Sequence, residues 1–123
     1  MTIRFSLLGD IQVRVDGGPI ALGHVRQRTV LAALLVEANR PVPTAVLLDR
    51  VWGGRPPRRP RAALYGYLSR IRHPLAAAGV RLARRSDGYV LPVDPMTVDL
   101  HRFERLVDRA HTGTDPAVAL GLF

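Results

Sequence analysis

All eighteen cationic side chains in this 123-residue chain are arginine, and none is lysine. Ten of them lie between Arg50 and Arg85, a stretch without one aspartate or glutamate. The rest of the chain carries eight arginines against ten acids, so the net charge of +8 comes entirely from that stretch. A GC-rich coding bias explains arginine in place of lysine. It does not explain why the acids lie elsewhere. The guanidinium is a planar five-donor fork that stays charged and fits phosphate oxygens or a guanine edge with two parallel bonds. Arginines clustered without acids are either a solvated basic face or, as the rule for such patches has it, the electrostatic footprint of a polyanion partner, and the second is the expectation.

Other chemistry finds little support. His24, His73, His101 and His111 show no metal-ligand spacing, and none stands beside a nucleophile in a recognisable motif. There is no glycine loop of the phosphate-cradling kind. Cysteine is absent, which removes disulfides and thiolate metal sites and fits a reducing compartment. No catalytic residue, metal or cofactor is expected. The longest apolar run, Val30 to Val36, is far too short to span a bilayer, and the opening residues do not form a signal peptide. The expectation is a soluble cytoplasmic protein associated with the nucleoid.

The elements that position the arginines follow from periodicity. Residues 3–22 alternate with period two, as Ile3-Phe5-Leu7, Ile11-Val13-Val15 and Ile20-Leu22, with turns at Gly9-Asp10 and Asp16-Gly17-Gly18-Pro19. This predicts a three-stranded antiparallel meander with one buried face. Residues 24–39 carry Val30, Leu31, Leu34, Leu35 and Ala38 at helical spacing, a wide stripe that predicts burial on more than one side. Asn39-Arg40-Pro41 should end that helix. Thr44 should cap a second, with Leu47, Leu48, Val51 and Trp52 facing inward and Gly53-Gly54 as its stop. A third helix should start at Pro60 and bury Leu64, Leu68, Ile71 and Leu75. Pro74 predicts its end by about residue 73. Val80 and Leu82, then Asp87-Gly88, then Tyr89, Leu91 and Val93 predict a β-hairpin with Arg84 and Arg85 at its tip. Asp99 should cap a last helix whose Phe103, Leu106, Val107 and Ala110 share a face, ending at His111-Thr112-Gly113. The tail from Thr114 is too short to fold alone.

Sheet, three helices and a basic hairpin make an α+β winged helix-turn-helix. In such a fold the third helix enters the major groove and the hairpin reaches the neighbouring minor groove or backbone. Arg58, Arg59 and Arg61 are phosphate clamps on this reading, because a turn and a helix start face the backbone. Trp52 is expected at a helix junction and Tyr89 as the anchor of the hairpin. Of Tyr65 and Tyr67, the second is the better candidate to cover the core edge. The reading weighed against DNA is a protein-interaction module. There, the N-terminal sheet and the last helix dock RNA polymerase, a second copy or a longer homologue. Single-stranded nucleic acid is disfavoured because no aromatic stacking platform lies on a sheet.

The sequence also resembles a known family. Phe5-Ser6-Leu7-Leu8-Gly9, the run from Gln27 to Leu35, and Leu47-Leu48-Asp49-Arg50-Val51-Trp52-Gly53 follow its pattern. So do Pro56-Pro57, Leu68-Ser69-Arg70-Ile71-Arg72, Asp87-Gly88-Tyr89 and Val98-Asp99-Leu100-His101-Arg102-Phe103. Seven motifs in this order resemble the Streptomyces antibiotic regulatory protein family, transcription activators with an OmpR-type winged-helix domain. The resemblance implies a DNA-binding domain over residues 1–95. It implies the truncated start of a helical bacterial transcriptional activation domain over residues 96–123. It implies Arg70 as the arginine reaching into the major groove, Arg72 as a backbone contact and Arg85 as the wing-tip arginine in the minor groove. Tyr65 and Ser69 are expected beside Arg70 at base edges, His73 beside Arg72 at phosphates, and Arg84 beside Arg85 on the wing. The partners implied are duplex DNA bearing a direct-repeat operator near a promoter, RNA polymerase holoenzyme, and a second copy bound side by side. The pathway the family controls is antibiotic biosynthesis.

Overall fold

The computed structural model describes residues 2–111. Strands β1 (Ile3–Ser6), β2 (Gln12–Val15) and β3 (Gly18–Pro19) form an antiparallel meander in chain order. Phe5 pairs with Val13, and both are buried, so alternation sets the inner face as expected. Asp16 and Gly17 take φ of 52° and 82°, the left-handed pair a two-residue hairpin turn requires. The third strand is shorter than the alternation suggested. Pro19 has no N–H for a ladder, and after one further bond from Ile20 N–H to the Val13 carbonyl the chain leaves the sheet. Leu22 is buried nonetheless, under helix α1 (Val25–Val36) rather than in a strand.

Helix α1 is the centre of the core, with Val30, Leu31, Leu34 and Leu35 each fully buried. Burying each such side chain contributes roughly 1.5–3 kcal/mol, so this wide stripe outweighs the poor amphipathicity of the helix. Asn39 follows it at φ 67°, a conformation Asn tolerates. Its side-chain amide donates to the Val93 carbonyl at 2.7 Å and its amide oxygen accepts from Val93 N–H at 3.0 Å. The exit of α1 is thereby tied to the chain leaving the hairpin.

Strand β4 (Val42–Pro43), absent from the sequence reading, comes next and leads straight into α2 (Thr44–Trp52). It pairs with β6 (Gly88–Val90), which pairs in turn with β5 (Ala83–Arg85), giving a second antiparallel sheet of order β4-β6-β5. That pairing corrects the role of Thr44. Pro43 occupies the cap position without a side-chain bond, and Thr44 is already helical. Its hydroxyl donates at 2.6 Å, and its N–H at 2.9 Å, to the carbonyl of Asp87 at the hairpin corner. Thr44 therefore fastens the second helix to the hairpin. Thr44→Val keeps the shape and removes one donor, so it should cost about 1 kcal/mol in urea unfolding. Amide exchange in β5 and β6 should speed up; unchanged exchange would deny that this bond steadies the hairpin.

Helix α3 (Pro60–Ala77) overruns the expected stop at residue 73 by a full turn. Pro74 removes only one N–H, near the end of the helix, while Ile71 and Leu75 on either side of it are buried at 1% exposure. The true terminator is Gly79, at φ 85°. Gly79 N–H bonds the Ala76 carbonyl at 3.0 Å and Val80 N–H bonds the Leu75 carbonyl at 2.8 Å, the reciprocal pair of a Schellman cap. Val80 and Leu82 are buried but precede the strand, and the hairpin corner is Ser86-Asp87 rather than Asp87-Gly88.

Helix α4 (Asp99–His111) returns to the first sheet. Asp99, expected as its cap, is instead its first helical residue. Its carboxylate accepts from Leu7 N–H at 2.7 Å and Leu8 N–H at 3.1 Å as well as from Leu100 N–H, and Val98 bridges Phe5 in parallel. His101 Nε2 donates to the Leu35 carbonyl at 2.6 Å, joining α4 to α1. The expected inner face is only partly covered among the described residues. Ala110 is buried, whereas Phe103 and Leu106 remain 46% and 40% exposed. The Thr112-Gly113 stop and the tail from Thr114 lie outside the described residues.

Candidate nucleic-acid interface

Helix α3 buries the row Leu64, Leu68, Ile71 and Leu75. At 3.6 residues per turn, Ser69, Arg70 and His73 then project from the opposite side, with Gly66 between them. Arg61, Tyr65 and Arg72 lie on the flank nearer one edge of the buried row. All six of these side chains are exposed, Tyr65 by 42%. Arg72 and Ala76 form one wall of a shallow hollow whose other wall is Arg81 and Leu82, so the Arg72 flank faces the segment that leads into the hairpin. Arg81 is the basic residue at this junction that motif reasoning passed over. It sits between a Gly cap and a strand, where no periodicity signals a role.

The loop Gly53–Arg59 carries Arg55, Arg58 and Arg59, all exposed, into the start of α3. That helix opens with Pro60, has no side-chain cap and has no acid in its first turn. Its free N–H groups and these arginines share one end of the helix, a combination that attracts anions. On the hairpin, Arg84 and Arg85 are exposed but do not lie side by side on one face. Arg84 sits opposite Tyr89 and Arg85 opposite Gly88, and consecutive strand residues point to opposite faces. Arg85 borders the corner, with Nη1 donating to the Arg84 carbonyl at 3.1 Å. Tyr89 is buried and holds the hairpin on the core, as its type suggested.

Charge on this side of the molecule is left open. Among the described residues, Arg50 is the only one of the ten clustered arginines with a carboxylate within salt-bridge reach, Glu37 at 3.6 Å. Salt bridges among the described residues therefore do not consume the positive field.

Arg70 has a different environment from the rest. Its guanidinium carbon stands 5.6 Å from the centre of the Tyr67 ring, and a Cβ built on Gly66 would touch the guanidinium at 3.9 Å. Tyr67 is half-buried against the core, the position favoured for it over Tyr65. Its ring lies 5.9 Å from that of His24 at an interplanar angle of 12°, and 6.0 Å from that of Trp52 at 30°. His24 caps α1 through Nδ1, which accepts from Arg26 N–H at 3.0 Å. Arg26 in turn donates through Nη1 to the Val51 carbonyl at 2.6 Å, beside Trp52. Three helices thus converge on one aromatic ring beneath Arg70.

A sheet, a three-helix unit and a strand hairpin that follows the third helix define a winged helix-turn-helix domain. The chain is similar in structure to EmbR of Mycobacterium tuberculosis, solved in complex with a low-affinity phosphopeptide, with a TM-score of 0.78 and 37% identity over 91% of this chain and 32% of that one. In sequence it is 40% identical to the transcriptional regulatory protein EmbR of M. tuberculosis over 80% of this chain and 26% of EmbR. It is 35% identical to the transcriptional regulator RedD of Streptomyces coelicolor over 98% of this chain and 37% of RedD. The regulatory protein DnrI of Streptomyces peucetius is 28% identical over 86% of this chain and 42% of DnrI. No family model matches the chain. The chain is a winged-helix domain of the Streptomyces antibiotic regulatory protein family. It spans about a quarter of EmbR's length and under two fifths of RedD's. No helix of the described residues is long and apolar enough to cross a membrane, and no group of three or more metal-ligating side chains occurs among them.

Proposed function

We propose that this chain binds duplex DNA sequence-specifically and activates transcription. The observation that carries the proposal is the unpaired basic surface running from the loop before α3, along the exposed side of that helix, to the hairpin. Arg70, with Tyr65 and Ser69, reads base edges in the major groove. Arg58, Arg59, Arg61, Arg72 and His73 hold the phosphates on either side. The wing brings Arg84 and Arg85 to the minor groove, with Arg85 at the corner as the deeper of the two. Residues 1–95 are the DNA-binding unit, and residues 96–123 begin an activation domain. The partners are a direct-repeat operator near a promoter, RNA polymerase holoenzyme and a second copy alongside. The site of action is the cytoplasm, at the nucleoid, and the genes controlled are those of antibiotic biosynthesis. No catalysis is involved.

The test uses a duplex selected from a randomised pool by the 123-residue chain, set against random duplex of equal length. Arg70→Ala should weaken binding to the selected duplex by about 1–3 kcal/mol and relax the choice at one base pair. Equal weakening on both duplexes would make Arg70 a phosphate contact and remove base reading from this helix position.

A further inference from the structure

We propose that Tyr67 is a positioning residue for Arg70, its ring and the bare backbone of Gly66 forming a seat that holds the guanidinium before DNA arrives. The inference rests on the reading of Arg70 as a base contact and adds what determines its precision.

Arginine has four side-chain torsions, and an exposed one samples many rotamers, which binding must freeze. A side chain already restricted to one region loses less entropy on contact. Arg70 is exposed, yet its guanidinium carbon lies within cation–π range of the Tyr67 ring, at 5.6 Å. Tyr67 precedes Arg70 by three residues, so the pair are neighbours on the helix surface. The other side of the seat is Gly66, one turn before Arg70. Glycine inside a helix is unfavourable, and α3 tolerates it with no turn or left-handed angle to require it. Both terminal guanidinium nitrogens lie 3.9 Å from where its Cβ would stand, so a methyl group would just reach contact and glycine leaves that room free. A side chain longer than alanine at this position would occupy that volume.

A seat positions only if it is itself fixed. The Tyr67 ring is half-buried and flanked by His24 from the start of α1 and Trp52 from the end of α2. The hydrogen bond from Arg26 to the Val51 carbonyl draws those two helix ends together. The reader's rest position is therefore referenced to all three helices and not to α3 alone. Tyr67 touches no base in this scheme. It acts through Arg70.

Four proteins test this: Tyr67→Leu, Tyr67→Phe, Arg70→Ala, and Tyr67→Leu combined with Arg70→Ala. Each is titrated with the selected duplex and with random duplex. Tyr67→Leu should weaken the selected duplex about threefold to tenfold, the scale of one lost cation–π contact or one freed rotamer set. It should leave random duplex within about twofold, because phosphate contacts are untouched. Tyr67→Phe keeps the ring face and should behave as the parent. In the Arg70→Ala background, Tyr67→Leu should add nothing on either duplex. Additive losses would show that Tyr67 acts independently of Arg70 and overturn the proposal, as would equal losses on both duplexes. A readout without DNA guards against a folding defect. The Nε–Hε NMR signal of Arg70 should carry a ring-current shift in the parent and in Tyr67→Phe, and lose it in Tyr67→Leu. No shift in the parent would overturn the seat directly. If the shift is present while Arg70→Ala weakens both duplexes alike, the seat stands and base reading by Arg70 fails.

Discussion

Gly88→Ala should cost the domain about 3 kcal/mol or more of unfolding free energy, the largest single-residue effect expected here. Gly88 lies on the central strand of the second sheet, between Pro43 on one side and Arg85 on the other. A methyl group there would point into the backbone of the neighbouring strand, 2.7 Å from the Val42 carbonyl carbon and 2.8 Å from Pro43 Cα. No rotamer relieves such a clash, because a methyl group has none to change and the atoms it meets are backbone. Either β4 moves, which pulls Val42 out of the core and strips α2 of its attachment, or β6 moves and takes Tyr89 and Val90 with it. Both routes also break the bonds from Thr44 to the Asp87 carbonyl. Denaturant unfolding followed by circular dichroism measures the loss. A variant within about 1 kcal/mol of the parent would mean that the Pro43–Gly88–Arg85 register is wrong.

The second large effect is electrostatic. If five to six of the clustered arginines neutralise phosphates, log affinity should fall against log salt with a slope of about −5. Raising monovalent salt fourfold, from about 50 to 200 mM, then weakens binding about a thousandfold, close to 4 kcal/mol. The slope is insensitive to which arginine reads a base, since it counts released counterions. Salt bridges among the described residues do little to blunt it, because they engage one arginine of the ten. Titrations of duplex DNA at four or five salt concentrations give the slope. A slope near zero would mean that the basic surface does not track a phosphate backbone.

Much of the fold was legible because short-range rules govern it. The buried rows of α1, α2 and α3 follow from apolar spacing. The turn between β2 and β3 follows from Asp16-Gly17, and the end of α1 from Asn39, where left-handed backbone is tolerated. Misreadings arose where a local rule met a long-range partner. Pro74 signals a stop, yet burial of Ile71 and Leu75 carries α3 past it to Gly79. Thr44 has the type of a capping residue, but a hairpin corner 43 residues away presents a carbonyl to its hydroxyl. Strand β4 holds two residues, too few for any alternation to register, and exists because β6 lies beside it.

The arginine stretch divides along the same line. Composition alone determined that one segment, Arg50 to Arg85, carries all the excess positive charge, since charge is additive and needs no geometry. Helical period determined which arginines of α3 leave the core. Only the tertiary structure decided how those arginines differ from one another. It placed Arg72 across from Arg81 at the junction with the hairpin and turned Arg84 and Arg85 to opposite faces. It also laid Arg70 on a tyrosine braced by two other helices. The physical reason is that a charge announces itself in the sequence, whereas the surface against which a long side chain rests is assembled from residues distant in the chain.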